Sequence, residues 1–370
     1  MKRTESIYLS LLRAGLWDTK AHLEGAIDWK AVLALAYRQS TAGLICHAAL
    51  QLECGQIPSA IQTQMQAILM KFVNAHAMTN RTIARTVAML QEKGIHVVLL
   101  KGQGVASYYA APLLRQCGDI DLYVDDYAVA CDSIMTEDGG RRTEDGGRKA
   151  LALSRSEATD KHTEFDLGGG LSLEIHEYTE TLDDAKKNVM YQTFSDEGTT
   201  TGLVPIVFNG VSVSTPEDTF NAFYIFHHLW HHTIGLGMGL RQVCDWAVFL
   251  RTHAGQLDEE RLRHYLNAMN LMDEWQVFGS LVVHCLHLTA EEIPFYSSKN
   301  DRRGRRLLHY ILNEGDNRDF KFGRSTQRTK KKAATLRYIF SKTRRLLPIF
   351  PRQAITYFLS SIWSGVKNLF

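Results

Sequence analysis

Two aspartates separated by one residue, at the edge of an apolar run, are the side chains in this chain best suited to chemistry. They lie in Val97 to Val124, which reads VVLLKGQGVASYYAAPLLRQCGDIDLYV. Residues two apart on a strand point to one face, so Asp119 and Asp121 aim two carboxylates at one point while Ile120 and Leu122 turn to the core. Paired carboxylates repel unless a hard cation lies between them. Mg²⁺ takes oxygen ligands and keeps waters and phosphate oxygens as its remaining partners, so the pair suits a divalent ion that carries a triphosphate. A lone D-x-D also suits a solvated strand end or loop, and the surroundings must decide.

Upstream, VVLL runs into Lys101-Gly102 and then Gly104. A glycine turn lets backbone N–H groups approach an anion, and the start of the following helix adds a favourable dipole. Lys101 brings a positive charge, and Arg115 a bidentate donor just ahead of the acidic pair; Lys101 also reads as a solvated strand end. Downstream, Leu171 to His176, LSLEIH, alternates as a strand. Leu171, Leu173 and Ile175 take one face, and Glu174 shares the other with Ser172 and His176. If this strand lies beside the DIDL strand, Glu174 completes a carboxylate triad of the kind used in two-metal phosphoryl and nucleotidyl transfer.

The elements that must position these groups predict an α+β fold: a small mixed β-sheet flanked by N-terminal and C-terminal helical regions. Four segments are expected, divided at 1–92, 93–214, 215–315 and 316–370. The first is helical. Its apolar positions recur every three or four residues across Ile27–Ala49 and again from Ser59 to Lys93, and Gly94 suits a helix end. In the second segment, the α/β core, Asp125 and Asp126 start a helix after Val124, and His162–Asp166 and Leu171–His176 form a hairpin closed by Gly168-Gly169-Gly170. TEDGGR occurs twice, from Thr136 and from Thr143, as a small duplication in a surface connection; its acids would repel phosphate. The third segment opens on Thr215-Pro216-Glu217-Asp218, with Thr215 as N-cap. It carries FYIFHHLWHH, in which His227/His231 and His228/His232 each share a helix face. Such pairs can bind zinc, but the missing Glu of H-E-x-x-H argues against a zinc protease. Further on, Arg241 and Asp245 are spaced to pair, with Trp246 in the core.

From Asp301 the chain turns basic, in RRGRR, RSTQRTKKK and KTRR, and it ends in the apolar, aromatic AITYFLSSIWSGVKNLF. Basic residues beside an amphipathic tail suit an anionic membrane surface, although a charge run also suits a solvated face or a tail packed back on the protein. The 370 residues are 45% hydrophobic and carry a net charge of +2. That suffices for a large core and argues against wholesale nucleic-acid binding. Six cysteines form no C-x-x-C pair, which fits reduced thiols in a cytoplasmic protein. No signal peptide or membrane-spanning run is read.

Taken together, LLKG, Tyr109, Pro112, Arg115, GDIDLYV, and KHTEF with LEIH resemble the uncharacterised nucleotidyltransferase family of bacteria, within the DNA polymerase beta-like superfamily. The likeness runs from about Ile95 to Leu250, where TPEDTF, the histidines and GLRQVCDWAVFL look like the family's helical half. It implies Mg²⁺ or Mn²⁺ on Asp119, Asp121 and Glu174 as catalytic and metal-binding residues. It implies a nucleoside triphosphate, ATP foremost, met by Lys101, Gly102, Arg115, Lys161, His231 and Arg241, and transfer of its nucleoside monophosphate to an unidentified acceptor. Lys161-His162 matches a recurrent basic–histidine pair of the family. The turn reads Lys-Gly-Gln where many active members of the superfamily have Gly-Ser. That departure favours one alternative, a non-catalytic member that binds nucleotide or a partner; the basic tail supports another, a peripheral accessory protein at the inner membrane face acting in surface polysaccharide or peptide assembly.

Overall fold

The computed structural model describes residues 2–53, 55–137, 155–158, 161–168, 170–235, 237–314 and 328–367. Most of the TEDGGR duplication, Gly169 and the start of the RSTQRTKKK run lie outside the described residues.

Among the described residues seven strands form: β1 (Val97–Leu100), β2 (Ile120–Val124), β3 (Arg155–Ala158), β4 (His162–Asp166), β5 (Ser172–His176), β6 (Val204–Phe208) and β7 (Val211–Thr215). They make one mixed sheet in the order β3-β4-β5-β2-β1-β7-β6. The β2–β5 and β1–β7 pairs are parallel and the others antiparallel.

The helices are α1 (Arg3–Trp17), α2 (Trp29–Arg38), α3 (Ala42–Leu50), α4 (Ser59–Glu92), α5 (Gly102–Ala106), α6 (Tyr127–Glu137), α7 (Ala185–Thr200), α8 (Asp218–Ile234), α9 (Leu240–Thr252), α10 (Glu259–Met269), α11 (Met272–Leu286), α12 (Asp301–Glu314), α13 (Arg328–Leu346) and α14 (Pro351–Lys367). The chain is therefore α+β, a sheet with helical regions before and after it. The run from Ile27 to Ala49 forms two helices, because the chain turns at Gln39–Thr41 with Ser40 at a φ of 56°. At Gly94 the helix end is as expected: Gly94 has a φ of 78°, and the Gly94 and Ile95 amides donate to Gln91 O and Leu90 O. The cap of α8 is not the one expected. Thr215 is still paired to Val204 in the sheet, so the helix starts later, and the Glu217 carboxylate accepts from the Phe220 amide at 2.9 Å.

Two compact units emerge. One takes Met1–Met65, Tyr224–Gln256 and Asn270–Phe370, the other Gln66–Phe223 and Leu257–Met269. The first has an aromatic centre in which Trp246 and Trp275 meet edge to face at 4.8 Å, with Phe226 and Phe278 around them. The second holds the sheet. One sheet face, with Val97, Leu99, Ile120, Leu122, Leu173 and Ile175, packs on Ile83, Val87 and Leu90 of α4 and on Ala130 and Ile134 of α6. Strand alternation then sends Asp121, Glu174 and His176 to the opposite face. No helix among the described residues is long and apolar enough to cross a membrane. Cys46, Cys117, Cys131, Cys244 and Cys285 are free thiols.

Beside the sheet, Phe220 sits among Tyr191, Phe223 and Tyr265, and Gly198 of α7 lies flat against it. A Cβ at Gly198 would come 2.2 Å from the Phe220 ring. Helix propensity alone favours alanine there by about 1 kcal/mol, but overpacking costs about 1–3 kcal/mol, and the boxed-in ring has little room to yield. Gly198→Ala should therefore lower stability by about 1–2 kcal/mol in a denaturant titration; a stability equal to or above that of the wild type would contradict this packing.

Candidate active site

The site begins at a distorted turn. Lys101 has φ 47° and ψ −135°, and Gly102 follows with a φ of 37°. Glycine adopts such angles freely, whereas for lysine they cost about 1–3 kcal/mol and persist only where the surroundings enforce them. Part of the enforcement comes from Gln103, which is buried. Its side-chain amide lies 3.1 Å from His76 Nδ1 and donates to Asn80 Oδ1 at 2.9 Å, which anchors the turn to α4. Burial and the nearby Arg115 push the His76 pKa down to about 4, so this ring stays neutral. Out of the turn, Lys101 Nζ reaches Asp121 Oδ1 at 3.0 Å.

Strand pairing does the rest. The parallel register of β2 and β5 sets Asp121 opposite Glu174 and Tyr123 opposite His176. His176 is fully buried, and its Nε2 lies 3.1 Å from both Asp121 Oδ1 and Glu174 Oε2. The antiparallel β4–β5 pair sets His162 opposite His176, with His162 Nε2 3.8 Å from Glu174 Oε2. Asp119 lies one residue ahead of β2 rather than within it; Ser172 Oγ donates to its Oδ1 at 2.8 Å. Asp119, Asp121 and Glu174 therefore line one side of two neighbouring chain segments.

Burial alone would raise the Asp121 pKa, but the ammonium of Lys101 and the hydrogen bond from His176 hold it well below the usual carboxylate range. Lys101 mirrors this: burial would lower its pKa, yet the charges of Asp121 and Glu174 raise it. The pair stays ionised. His162 is pushed down by burial, against the pull of Glu174, so its imidazole is neutral at neutral pH.

These residues fit a divalent cation. Asp119, Asp121 and Glu174 are carboxylates, the donor type expected for Mg²⁺ or Mn²⁺, and the register sets Asp121 beside Glu174. His162, Glu174 and His176 form a second set, with their donor atoms all within 4.8 Å of one another. Imidazole nitrogens suit first-row transition metals, and Glu174 is common to both sets. Buried His176 Nδ1 makes no hydrogen bond among the described residues; the ring is held on its other side, where Nε2 faces Asp121 and Glu174.

Other candidates lie elsewhere or are already engaged. Lys161 Nζ pairs with Glu180 Oε1 at 3.1 Å, and the charge of Glu180 also reaches Lys101. Arg115 is buried and donates to Gln116 O at 3.3 Å. His231 and Arg241 belong to the other compact unit. Sequence reasoning put His176 on the face of Glu174 without giving it a part, and left Gln103 and Glu180 out of the site. Period-two alternation was signal enough for His176. Gln103 and Glu180 act through contacts with distant segments, which local pattern does not encode.

Residues 25–287 match the family described as uncharacterised nucleotidyltransferase, a longer span than the motifs alone suggested. Neither the curated proteins nor the solved structures include a match to the chain.

Removing one partner of a buried ion pair leaves an uncompensated charge and costs about 3–5 kcal/mol. Lys101→Met should cost about 3 kcal/mol at pH 7, near the low end because His176 still faces Asp121. The Asp121 pKa is depressed in the folded state, so its contribution is complete above the unfolded value of about 4 and is lost as the pH falls through the folded value. The gap between Lys101→Met and wild type should therefore be full at neutral pH and shrink below about pH 4. Lys101→Met/Asp121→Asn should lose less than the two single losses added together. Strict additivity in urea titrations would show that the pair is not coupled.

Proposed function

The chain belongs to the uncharacterised nucleotidyltransferase family, and on that footing we propose that it is a metal-dependent enzyme moving a nucleoside monophosphate from a nucleoside triphosphate, ATP foremost, to an acceptor hydroxyl. The observation that carries this reading is the register match of Asp121 with Glu174, with Lys101 at 3.0 Å from Asp121. Kinship with the DNA polymerase beta-like superfamily is supported by the order of parts: a glycine turn after β1, a D-x-D leading into β2, and a third acid on the later β5.

Asp119, Asp121 and Glu174 hold the cation, Mg²⁺ or Mn²⁺, which when bound neutralises triphosphate charge. Lys101 meets a phosphate oxygen of the donor, and Gly102 keeps the turn open to its close approach. Arg115 and Lys161 are further candidates for donor contacts. Glu174 accepts the proton of the acceptor hydroxyl. The acceptor oxygen bonds to the α-phosphorus, the bond from that phosphorus to the bridging oxygen breaks, and pyrophosphate leaves with the electron pair. Catalysis here is positioning and charge stabilisation. The Lys-Gly-Gln turn does not weigh against activity, because Gln103 faces α4 and holds Lys101 in place.

With α-labelled ATP, Mg²⁺ and a cell extract as the source of acceptors, the purified chain should transfer label. Asp121→Asn and Glu174→Gln should each reduce transfer by about 100-fold or more while the far-UV circular dichroism spectrum stays that of the wild type. An unchanged rate in both variants would sink the assignment.

A further inference from the structure

The basic motif RRGRR, which the transfer chemistry leaves unused, opens α12. Gly304, Leu307 and Ile311 turn inward. A Cβ at Gly304 would come 2.5 Å from Ser280 Oγ of α11, so α12 lies tight on α11 and cannot roll. The outer face is then fixed. Arg302, Arg305, Arg306, His309 and Asn313 follow at helical spacing, and all five line a cleft of about 760 Å³. Arg345 of α13 lines it too, and Pro348 and Ile349 supply an apolar wall. Everything that lines it belongs to one compact unit.

Among the described residues the charge in this cleft is only partly neutralised. Arg303, off the cleft, is clamped by both oxygens of Asp273 at 2.7 and 2.6 Å. Arg345 is paired with Glu314. Within the cleft, Arg306 donates to Pro348 O at 3.3 Å, and Arg305 lies 3.3 Å from His284 Nε2. Among the described residues no carboxylate is in ion-pair contact with Arg302, Arg305 or Arg306. Like charges at this helical spacing repel, and a bound anion would relieve that repulsion. Guanidinium forks match phosphate oxygens two at a time. The volume falls in the range of small-molecule sites and exceeds what a single phosphate would fill.

We propose that this cleft binds a ligand carrying two or more phosphate groups, free in solution or as a lipid headgroup, with its remaining body against Pro348 and Ile349. The proposal does not depend on the transferase reading, because none of its residues belongs to the unit that holds Asp119, Asp121 and Glu174.

The test uses the full chain and tripolyphosphate in EDTA, so that no divalent ion can bridge phosphate to the three acids. Calorimetry should show one saturable site that weakens with salt. Affinity should fall about tenfold or more in Arg302→Gln/Arg306→Gln and be unchanged in Asp121→Asn. Both arginines are exposed, and the double variant should melt as the wild type does. Flotation with phosphatidylcholine vesicles, with and without phosphatidylinositol bisphosphate, separates the sources. Binding to the charged vesicles that tripolyphosphate competes away and the double variant lacks assigns a headgroup; tripolyphosphate binding without flotation assigns a soluble ligand. Absence of binding in both arms, or binding that the double variant keeps, overturns the proposal.

Discussion

Two carboxylates held opposite each other across neighbouring parallel strands are the constraint on which the second compact unit depends. The register of β2 and β5 leaves Asp121 and Glu174 no way to separate, and Asp121 is buried. A buried charge without compensation costs several kcal/mol. The surrounding residues answer that cost: Lys101 from a strained turn, His176 from the next position on the same face of β5, and Gln103 behind the turn. A sheet face with this much charge cannot also be a core face. The helices α4 and α6 accordingly cover the other side, where Ile120, Leu122, Leu173 and Ile175 lie.

The placing of Asp121 beside Glu174 was legible in the sequence because it rests on alternation. GDIDLYV and LSLEIH each carry one apolar and one polar face, and both faces are where period two puts them. The α4 end at Gly94 and the β4–β5 hairpin were legible for the same reason: local chemistry decides them. Legibility stopped where a distant segment decides. Nothing near Lys101 indicates that His76 and Asn80 will hold Gln103 and so fix its backbone. Thr215 has the makings of a helix cap, but its pairing with Val204 keeps it in the sheet and passes the role to Glu217. The ion pair of Lys161 with Glu180 likewise joins segments that local pattern does not connect.

The histidines give the site a character that three acids alone would lack. His162 and His176 bring imidazole nitrogens to the same carboxylate that completes the oxygen set. Imidazole beside carboxylate is the donor mixture that suits first-row transition metals. In the other unit, the cationic cleft on α12 presents the opposite charge on a separate, rigidly packed element. Its sequence signal, RRGRR, was plain as a basic run; Gly304, in the middle of it, is what seats the helix against α11.

Asp119, Asp121 and Glu174 are proposed to bind a nucleoside triphosphate together, through a divalent cation. Calorimetric titration of ATP, GTP, CTP and UTP into the purified chain, each with and without Mg²⁺, tests it most directly. The account predicts saturable binding of at least one of the four that requires Mg²⁺ and is lost in Asp119→Ala. Binding of none of them, or Mg²⁺-dependent binding that Asp119→Ala retains in full, would contradict it.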